Sequence, residues 1–408
     1  MEVLYPRCAG LDVHSASVTA CARLAIGAQV TYDHRTVPAT TRGLLDLAEW
    51  LTAHGCTHVA MEATGVYWKP VWHVLEEHVT LILANAMHIR NVPGRKSDVN
   101  DATWIADLLA HGLIRASFVP PQPIQELRDL TRTRKQLTRE IVQHTQRIQA
   151  VLEEANIKLS SIISDILGVS GRRMLMGIVA GETDHVKLSE LGGSRLAATR
   201  SELADALHGR VRSHHRFLIG EHLKTIVQLE ETIAAFDARI EAALEPFRDA
   251  VERLKEVPGL SETSAQILIA EIGTDMRQFP TAGHLLSWAG LIPRLDESAG
   301  KRRSTRVRKG APWLKPVLVQ CALGAARKRN SYFEAQFLRL KARRGPKKAV
   351  VAVAASILTT AYHMLADGTC YQDLGPDHFA RRNPARAAAK LATRIRNLGF
   401  QVEIRPAA

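Results

Sequence analysis

Short apolar runs alternate with amphipathic segments over the first quarter of the chain. Three runs rich in β-branched residues, CAGLDV, SVTACARL and AQVTYDHRTV, lie within residues 8–36 and predict three consecutive strands. The next segment, TTRGLLDLAEWLTAHG, has apolar residues at helical spacing, with Thr41 as the expected N-cap and Gly55 at its end. A strand THVAME, a helix VYWKPVWHVLEEH, a strand VTLILAN and a helix DVNDATWIADLLAHG follow. The order βββ-α-β-α-β-α predicts an α/β domain.

Four carboxylates lie at the ends of these elements. Asp12 and Glu62 end strand-like runs, whereas Asp98 and Asp101 are three residues apart and share one face at the start of a helix. The element order is that of the ribonuclease H fold, in which acidic residues come from the first strand, the fourth strand and the last helix. Carboxylates that converge on one spot repel each other unless a cation lies between them, and hard oxygen ligands suit Mg²⁺ or Mn²⁺. We therefore predict a metal site of the kind that activates phosphodiester chemistry.

Each of these acids also has a plain structural explanation when it is taken alone. Asp12 and Glu62 could be turn residues at strand ends, and Asp98 and Asp101 could favour a helix N-terminus through its dipole. The combined order and spacing favour the metal site. Asp107 fits the face of Asp101 poorly, and we assign it a structural role.

Heptad-like spacing dominates the region that follows the proline-rich segment at Pro120. Two seams have residues at alternating spacings of three and four, over Leu127–Val151 and Ile219–Leu244. They predict a helical coiled-coil region. The two seams could pair with each other as an antiparallel hairpin or pair with a second subunit, and the sequence leaves both arrangements open.

The last third predicts further helices. Residues 251–273, VERLKEVPGLSETSAQILIAEIG, have the pattern helix, tight turn, helix, and resemble a helix-hairpin-helix, whose backbone amides grip a phosphate without reading sequence. The apolar segment AVVAVAASILTTAYHML favours a packed helix over a membrane span, because it is short and contains Thr359, Thr360 and His363. Residues 367–408 form a basic tail.

Positive charge is concentrated between Lys301 and Lys348. The whole chain has 408 residues, 46% hydrophobic, with a net charge of +13. This one segment contains 16 Lys and Arg against a single acid, Glu334, a net charge of +15, so the remainder is slightly acidic. So one-sided a charge predicts contact with nucleic acid. The candidate contacts are the basic residues nearest its start: Lys301, Arg302, Arg303, Arg306, Arg308 and Lys309.

Other features narrow the class of protein. No apolar run approaches the ~20 residues of a bilayer span, and the first residues lack the pattern of a signal peptide. The five cysteines are widely scattered without a CxxC pair, which predicts reduced thiols in a cytoplasmic protein and no zinc site.

Several ordered motifs in both halves of the chain resemble the transposases of the insertion sequence 110 family, which are bridge-RNA-guided recombinases of bacterial mobile elements. The motifs are GLDVH, AMEATGVYW, GRKSDVNDA, VPGLSETSAQILIAEIG and FPTAGHLLSWAGLIPRLDESAGKRRSTRVRKG. The resemblance implies a RuvC-like catalytic domain over residues 1–118, a coiled-coil region over 119–247, a transposase domain over 248–366 and the basic tail. It also implies a homodimer that assembles into a tetramer on DNA, with element ends, target DNA and a structured noncoding RNA as partners.

The resemblance assigns roles to individual residues. Asp12, Glu62, Asp98 and Asp101 match the family's Asp-Glu-Asp-Asp tetrad, which holds Mg²⁺, with Mn²⁺ as a substitute. Ser298 in PRLDESAGKRR matches its nucleophilic serine, although Ala299 here separates that serine from a glycine.

Two other functions stay open at this level. A metal-dependent endonuclease of the junction-resolvase kind would use water as the nucleophile, and Ser298 would then be structural. A nucleic-acid-binding scaffold without enzymatic activity would need neither the tetrad nor the serine. Ser304 is the rival for the nucleophile's position.

Overall fold

A computed structural model describes residues 2–27, 29–63, 65–86, 89, 101–293, 296–304, 306–308 and 310–405, without the side chains of residues 296–298, 302 and 303. Asp98 and Lys309, both predicted site residues, therefore lie outside the described residues. The chain forms two compact units, Met1–Val119 and Pro120–Ala408.

The first unit is built around a five-stranded sheet in the order β3-β2-β1-β4-β5. The strands are antiparallel from β1 to β3, and β4 and β5 run parallel to β1. This confirms the predicted α/β character of the region. The elements in chain order are β1 (Arg7–Val13), β2 (Ser17–Ile26), β3 (Gln29–Pro38), α1 (Thr41–Ala53), β4 (His58–Glu62), α2 (Trp68–Leu75), β5 (Thr80–Ala84) and α3 (Asp101–Ala110).

Alternation along β1 and β4 gives the sheet two differently covered faces. One face has Leu11 and Met61, both fully buried in the core that includes residues of α1 and α2. The other face has Cys8 and Ala60, which pack with Ile105 and the rest of α3. Since side chains alternate between faces, Asp12 and Glu62 belong to the face that α3 covers.

The N-cap of α1 is Thr40, one residue before the predicted Thr41. Thr40 has an extended backbone, and its side chain accepts a hydrogen bond from the Gly43 amide. Thr41 is already the first helical residue, so its own hydroxyl is not placed to cap.

The second unit is mostly helical. Its helices are α4 (Gln122–Glu154), α5 (Leu159–Ile162), α6 (Val169–Ala180), α7 (His185–Glu190), α8 (Arg200–Leu207), α9 (Ser213–Leu244), α10 (Arg248–Lys255), α11 (Glu262–Ile272), α12 (Ala282–Trp288), α13 (Leu314–Ala325), α14 (Tyr332–Arg344), α15 (Pro346–Asp367), α16 (His378–Arg381) and α17 (Pro384–Asn397). Short 3₁₀ turns occur at Glu245–Phe247 and Met276–Gln278, and one hairpin is formed by β6 (Asp296–Ser298) and β7 (Lys301–Ser304).

Helices α4 and α9 pack against each other as an antiparallel pair. Arg134 of α4 is paired with Asp237 of α9, and further along α4 the Nδ1 atoms of His144 and His222 lie 3.1 Å apart. The two polar interruptions in the first predicted seam therefore meet complementary polar residues of α9. Of the two pairings that the sequence left open, the structure shows the one within a single chain.

The turn between α10 and α11 is packed rather than open. Val257, Pro258 and Leu260 are buried, and a Cβ added to Gly259 would lie 2.2 Å from the Cys321 carbonyl oxygen of α13. Ser261 caps α11 by accepting from the Ser264 amide, as its position after the turn predicted. Whether this turn grips phosphate stays a prediction.

Helix α15 is the one described helix that is long and apolar enough to cross a membrane by length and composition. Its apolar residues are nevertheless part of the core of the second unit: Val353, Ala354, Ile357 and Ala361 are all fully buried. One such helix in a packed core is weak evidence for a membrane span.

Candidate active site

The predicted acids on β1 and β4 lie next to each other on the sheet. Leu11 and Met61 are register partners of the parallel pair β1–β4, and Asp12 and Glu62 are the residues that follow them. Neighbouring strands are about 4.8 Å apart, so the two carboxylates leave the sheet side by side on the same face. Two acids from separate parts of the sequence are thereby brought together by strand register.

The first turn of α3 lies on this same face. A Cβ added to Gly10, two residues before Asp12, would lie 2.2 Å from the Ala102 carbonyl oxygen and 2.5 Å from the Ala106 amide nitrogen. Only glycine allows so close an approach between strand and helix. Asp101, directly before Ala102, is therefore held at the edge of the face that contains Asp12.

Asp12 is partly exposed and has a neighbouring base. Its Oδ2 lies 3.2 Å from Nε2 of His14, and its side chain is 29% exposed. A carboxylate that faces solvent can take up a cation from solution at little cost, whereas a fully buried one would need a partner inside the fold.

The complete tetrad is not assembled within the described part of the chain. There, no group of three or more His, Cys, Asp and Glu side chains is close enough to hold a metal ion. Asp98 lies outside this part. The adjacent carboxylates Asp12 and Glu62 have the hard oxygen donors that Mg²⁺ requires, and Mg²⁺ commonly binds through one or two carboxylates. The residues present thus fit a divalent cation by donor type.

Asp107 has the structural role that the sequence analysis assigned to it. Arg23, 4% exposed, donates from Nε to the Asp107 Oδ1 at 3.0 Å, and the Tyr32 hydroxyl donates to the same oxygen at 2.8 Å. Burial raises the pKa of Tyr32, and its hydrogen bond to Asp107 raises it further. This network fastens α3 to β2 and β3, and it therefore supports the position of Asp101.

Ser298 lies at the turn of a tight β-hairpin. It pairs with Lys301 across two connecting residues, Ala299 and Gly300, which have φ angles of 50° and 72°. Positive φ at both residues is the signature of a type I′ hairpin turn. The departure noted in the sequence, an alanine after the serine, thus occupies a left-handed position that costs about 1–2 kcal/mol in a residue other than glycine.

The base of this hairpin is closed by backbone contacts and one lysine. Gly290 and Gly310 approach so closely that a Cβ on Gly290 would lie 2.4 Å from the Gly310 Cα. The Lys315 ammonium donates to the carbonyl oxygens of Gly290 and Arg308, at 3.0 Å each. Burial lowers the pKa of Lys315. No sequence pattern predicted these contacts of Lys315, because its partners lie 25 and 7 residues away.

Of the predicted nucleic-acid contacts, Lys301, Arg302 and Arg303 lie on β7, and Arg306 and Arg308 follow it in the chain. Lys301, Arg306 and Arg308 are exposed. Arg302 and Arg303 belong to β7, where the structure describes their backbone only. The rival Ser304 ends β7, and its hydroxyl accepts a hydrogen bond from the Arg306 amide at 3.2 Å.

A cluster of arginines that the sequence analysis missed lies on α4. Arg132 donates from Nε and Nη2 to the two oxygens of Glu271, at 2.8 Å each, and Glu271 is 1% exposed. Arg128 donates to the carbonyl oxygens of Ala270 and Glu271 at the end of α11, and burial lowers its pKa to about 10. The positively charged pattern along α4 was visible in the sequence, but its partners in α11 were not.

Comparisons with known proteins agree with the motifs in both units. Residues 9–157 match the family DEDD_Tnp_IS110, described as a transposase, and residues 251–338 match the transposase IS116/IS110/IS902 family. A probable family 20 transposase of Pseudomonas aeruginosa is 26% identical over 321 residues, which cover 77% of this chain and 85% of that protein. An uncharacterized 43.6 kDa protein of insertion element IS110 from Streptomyces coelicolor is 26% identical over 70% of this chain and 74% of its own length. A putative transposase of Sinorhizobium fredii, y4pF/y4sB, is 29% identical over 30% of this chain and 32% of its own length.

Proposed function

The chain belongs to the IS110 family of transposases, which cleave and rejoin DNA, and we propose that it does so with a Mg²⁺-dependent carboxylate site and Ser298 as the nucleophile. The observation that carries the proposal is the parallel register that leads Asp12 and Glu62 to one face of the sheet, beside the first turn of α3.

The sheet supports a ribonuclease H or RuvC-like assignment for the first unit. Its order is β3-β2-β1-β4-β5, with three antiparallel strands followed by two parallel ones. That combination fits the element order expected of the fold. Asp12 lies on β1, Glu62 ends β4 and Asp101 begins α3, which supports this assignment.

Asp12, Glu62, Asp98 and Asp101 would hold the cation in this proposal. A bound Mg²⁺, or Mn²⁺ in its place, would polarise the scissile phosphate and offset the charge that develops on its oxygens. The protein's own contribution is to fix the carboxylates: strand register places Asp12 and Glu62, and the contact of Gly10 with α3 places Asp101.

Ser298 would attack the phosphorus from the tip of the hairpin. The Oγ–P bond forms, and the P–O bond to one neighbouring deoxyribose breaks. The serine loses its proton, and the released deoxyribose oxygen gains one, so charge and atoms balance. The phosphoserine conserves the energy of the phosphodiester, and a second deoxyribose hydroxyl can later displace the serine to rejoin the strand.

The basic residues of the hairpin segment would hold the DNA against Ser298. Lys301, Arg302, Arg303, Arg306, Arg308 and Lys309 supply positive charge at the serine, which favours phosphate binding and offsets developing negative charge. Guidance by a structured bridge RNA and assembly of homodimers into a tetramer belong to the same proposal, and the family membership supports them.

Cleavage rates of two serine variants test the nucleophile. Ser298→Ala should reduce cleavage of the element's DNA to background in Mg²⁺, because no other atom at that position can form the phosphoester. Ser304→Ala is the matched control on the same hairpin and should retain most of the rate. Normal cleavage by Ser298→Ala would instead support the resolvase-like alternative, in which water attacks.

A further inference from the structure

Trp313, the residue before α13, lies against two arginines of α4. The guanidinium carbon of Arg132 is 5.6 Å from the centre of the Trp313 ring, and that of Arg139 is 5.1 Å away. Arg132 and Arg139 are seven residues apart, close to two helical turns, so they lie on one face of α4. The face of an indole attracts cations and guanidinium groups stack on it, so the ring fixes both side chains.

These two arginines differ in what else they bind. Both oxygens of Glu271 accept from Arg132, and Arg128 lies 3.8 Å from the same carboxylate. One buried negative charge is thus shared between two guanidinium groups. Arg139 is exposed, and no carboxylate among the described residues forms an ion pair with it. The Arg139 guanidinium therefore has donors that no described carboxylate occupies, and a phosphate can accept hydrogen bonds from them.

The position of Arg139 indicates the ligand. Trp313 is three residues after Gly310, a distance of at most about 11 Å, and two residues before Lys315. Gly310 and Lys315 close the base of the hairpin β6–β7, which contains Ser298 and is called here the serine hairpin. Arg139 is therefore held beside the hairpin that carries the predicted phosphate contacts.

We propose that Arg139, held over the ring of Trp313, binds a backbone phosphate of the DNA strand that lies against the serine hairpin. In this proposal the long helix α4 contributes directly to the DNA-binding surface, besides packing with α9. The planar guanidinium can give two parallel hydrogen bonds to a phosphate. Its cation–π contact with Trp313 restrains the side chain before DNA arrives, which reduces the entropy lost on binding. Such a contact positions the strand without reading its sequence. The choice of DNA rests on the proposed function of Ser298.

The salt dependence of DNA binding tests this contact. The full-length protein is titrated with a fluorescein-labelled duplex in chelator, at KCl concentrations from about 50 to 200 mM. Arg139→Gln should weaken binding and lower the slope of log affinity against log salt by about 0.9, the loss of one duplex phosphate contact. Arg147→Gln removes the same charge eight residues further along α4 and should keep the wild-type slope. An unchanged slope in Arg139→Gln, or an equal loss in Arg147→Gln, would overturn the proposal.

Chemical protection of the wild-type protein gives a second readout that does not depend on how a variant folds. Phenylglyoxal modifies exposed guanidinium groups, and mass spectrometry locates the products. Bound duplex should protect Arg139 and leave Arg147 reactive. Modification of Arg139 at the same rate with and without saturating DNA would overturn the proposal.

Two further arms separate this inference from the proposed function. Ser298→Ala should bind duplex with the wild-type slope, because it removes no charge. A wrong serine mechanism would therefore leave the binding result of Arg139→Gln unchanged, and an unchanged slope in Arg139→Gln would leave the serine mechanism untouched. The same titration with a labelled RNA hairpin identifies the source of the phosphate. If Arg139→Gln lowers the slope for the RNA and not for the duplex, the contact belongs to RNA and the DNA assignment is wrong.

Discussion

Asp12 is the residue at which the strand register, the packing of α3 and the proposed chemistry come together. Asp12→Asn keeps the size of the side chain and removes its charge. We expect strand cleavage in Mg²⁺ to fall at least about 100-fold, because an amide is a poor ligand for a hard cation, while affinity for DNA stays near that of the wild type. Both quantities can be measured on one labelled element-end duplex.

The matched control for this prediction is Asp46→Asn. Asp46 is an exposed carboxylate of α1, which covers the opposite face of the sheet. The Asp46→Asn protein should cleave DNA at the wild-type rate. Full cleavage by Asp12→Asn, or by the wild type in excess chelator, would contradict the metal site.

Sequence patterns predict where a side chain lies only when the neighbouring residues along the chain constrain it. Asp12 and Glu62 could be placed because each ends a buried strand, and strand alternation then decides their face. Lys315 and Arg139 could not be singled out in this way. Lys315 contacts Gly290, and Arg139 contacts Trp313. Both contacts depend on how helices pack, which local periodicity does not reveal.

The serine hairpin is the element whose geometry the proposal depends on most. Lys315→Met removes the ammonium group that ties both sides of its base and keeps an apolar stem of similar length. Since a misplacement of about 1 Å can cost a factor of 100 in rate, we expect cleavage to slow at least about tenfold, with DNA affinity changed much less. Single-turnover cleavage at saturating protein separates the two effects.

Two control variants test whether the loss of rate is specific to the ammonium group of Lys315. Lys315→Arg retains charge and donors and should recover part of the rate. Lys347→Met removes an exposed positive charge at the start of α15 and should leave the single-turnover rate unchanged. If Lys315→Met cleaves at the wild-type rate, the clamp does not position the serine.

The helix pair α4–α9 should lose stability in mild acid. Burial lowers the pKa of His222 below its ordinary value of 6.5, and electrostatic repulsion from His144 and Arg147 lowers it further. Below that pH the unfolded chain binds more protons at this residue than the folded chain does. Stability therefore falls as pH drops through 6.5 and is unaffected by His222 well above it.

Thermal melting at about pH 7.5 and about pH 5.5 measures this effect. His222→Gln should show a smaller acid-induced drop in melting temperature than the wild type. The control His363→Gln changes an exposed histidine of α15 and should show the wild-type drop. An identical drop in His222→Gln would mean that His222 does not contribute to the acid sensitivity.

At the scale of elements, sequence periodicity predicted the two seams correctly as helices but could not choose their partner. The choice depends on long-range complementarity, such as Arg134 with Asp237, between residues 103 positions apart. The cap of α1 was missed by one residue, because Thr40 and Thr41 are chemically equivalent in the sequence and only backbone conformation distinguishes them.

The whole molecule divides the proposed chemistry between two units. The carboxylates belong to Met1–Val119, and the serine hairpin with its concentrated positive charge belongs to Pro120–Ala408. Family matches cover part of each unit, residues 9–157 and 251–338, which fits an enzyme that needs both. The sequence located the basic segment by composition alone, whereas its hairpin turn depends on the unusual left-handed backbone at Ala299.

The claim that Ser298 becomes covalently attached to DNA is tested by isolating that bond. Protein is incubated with end-labelled element DNA, the RNA and Mg²⁺, then denatured, digested with protease and analysed by mass spectrometry. We predict a nucleotide on the peptide that contains Ser298, absent in Ser298→Ala and in Asp12→Asn. Efficient cleavage without any protein–DNA adduct, or an adduct on Ser304 that persists in Ser298→Ala, would contradict the claim.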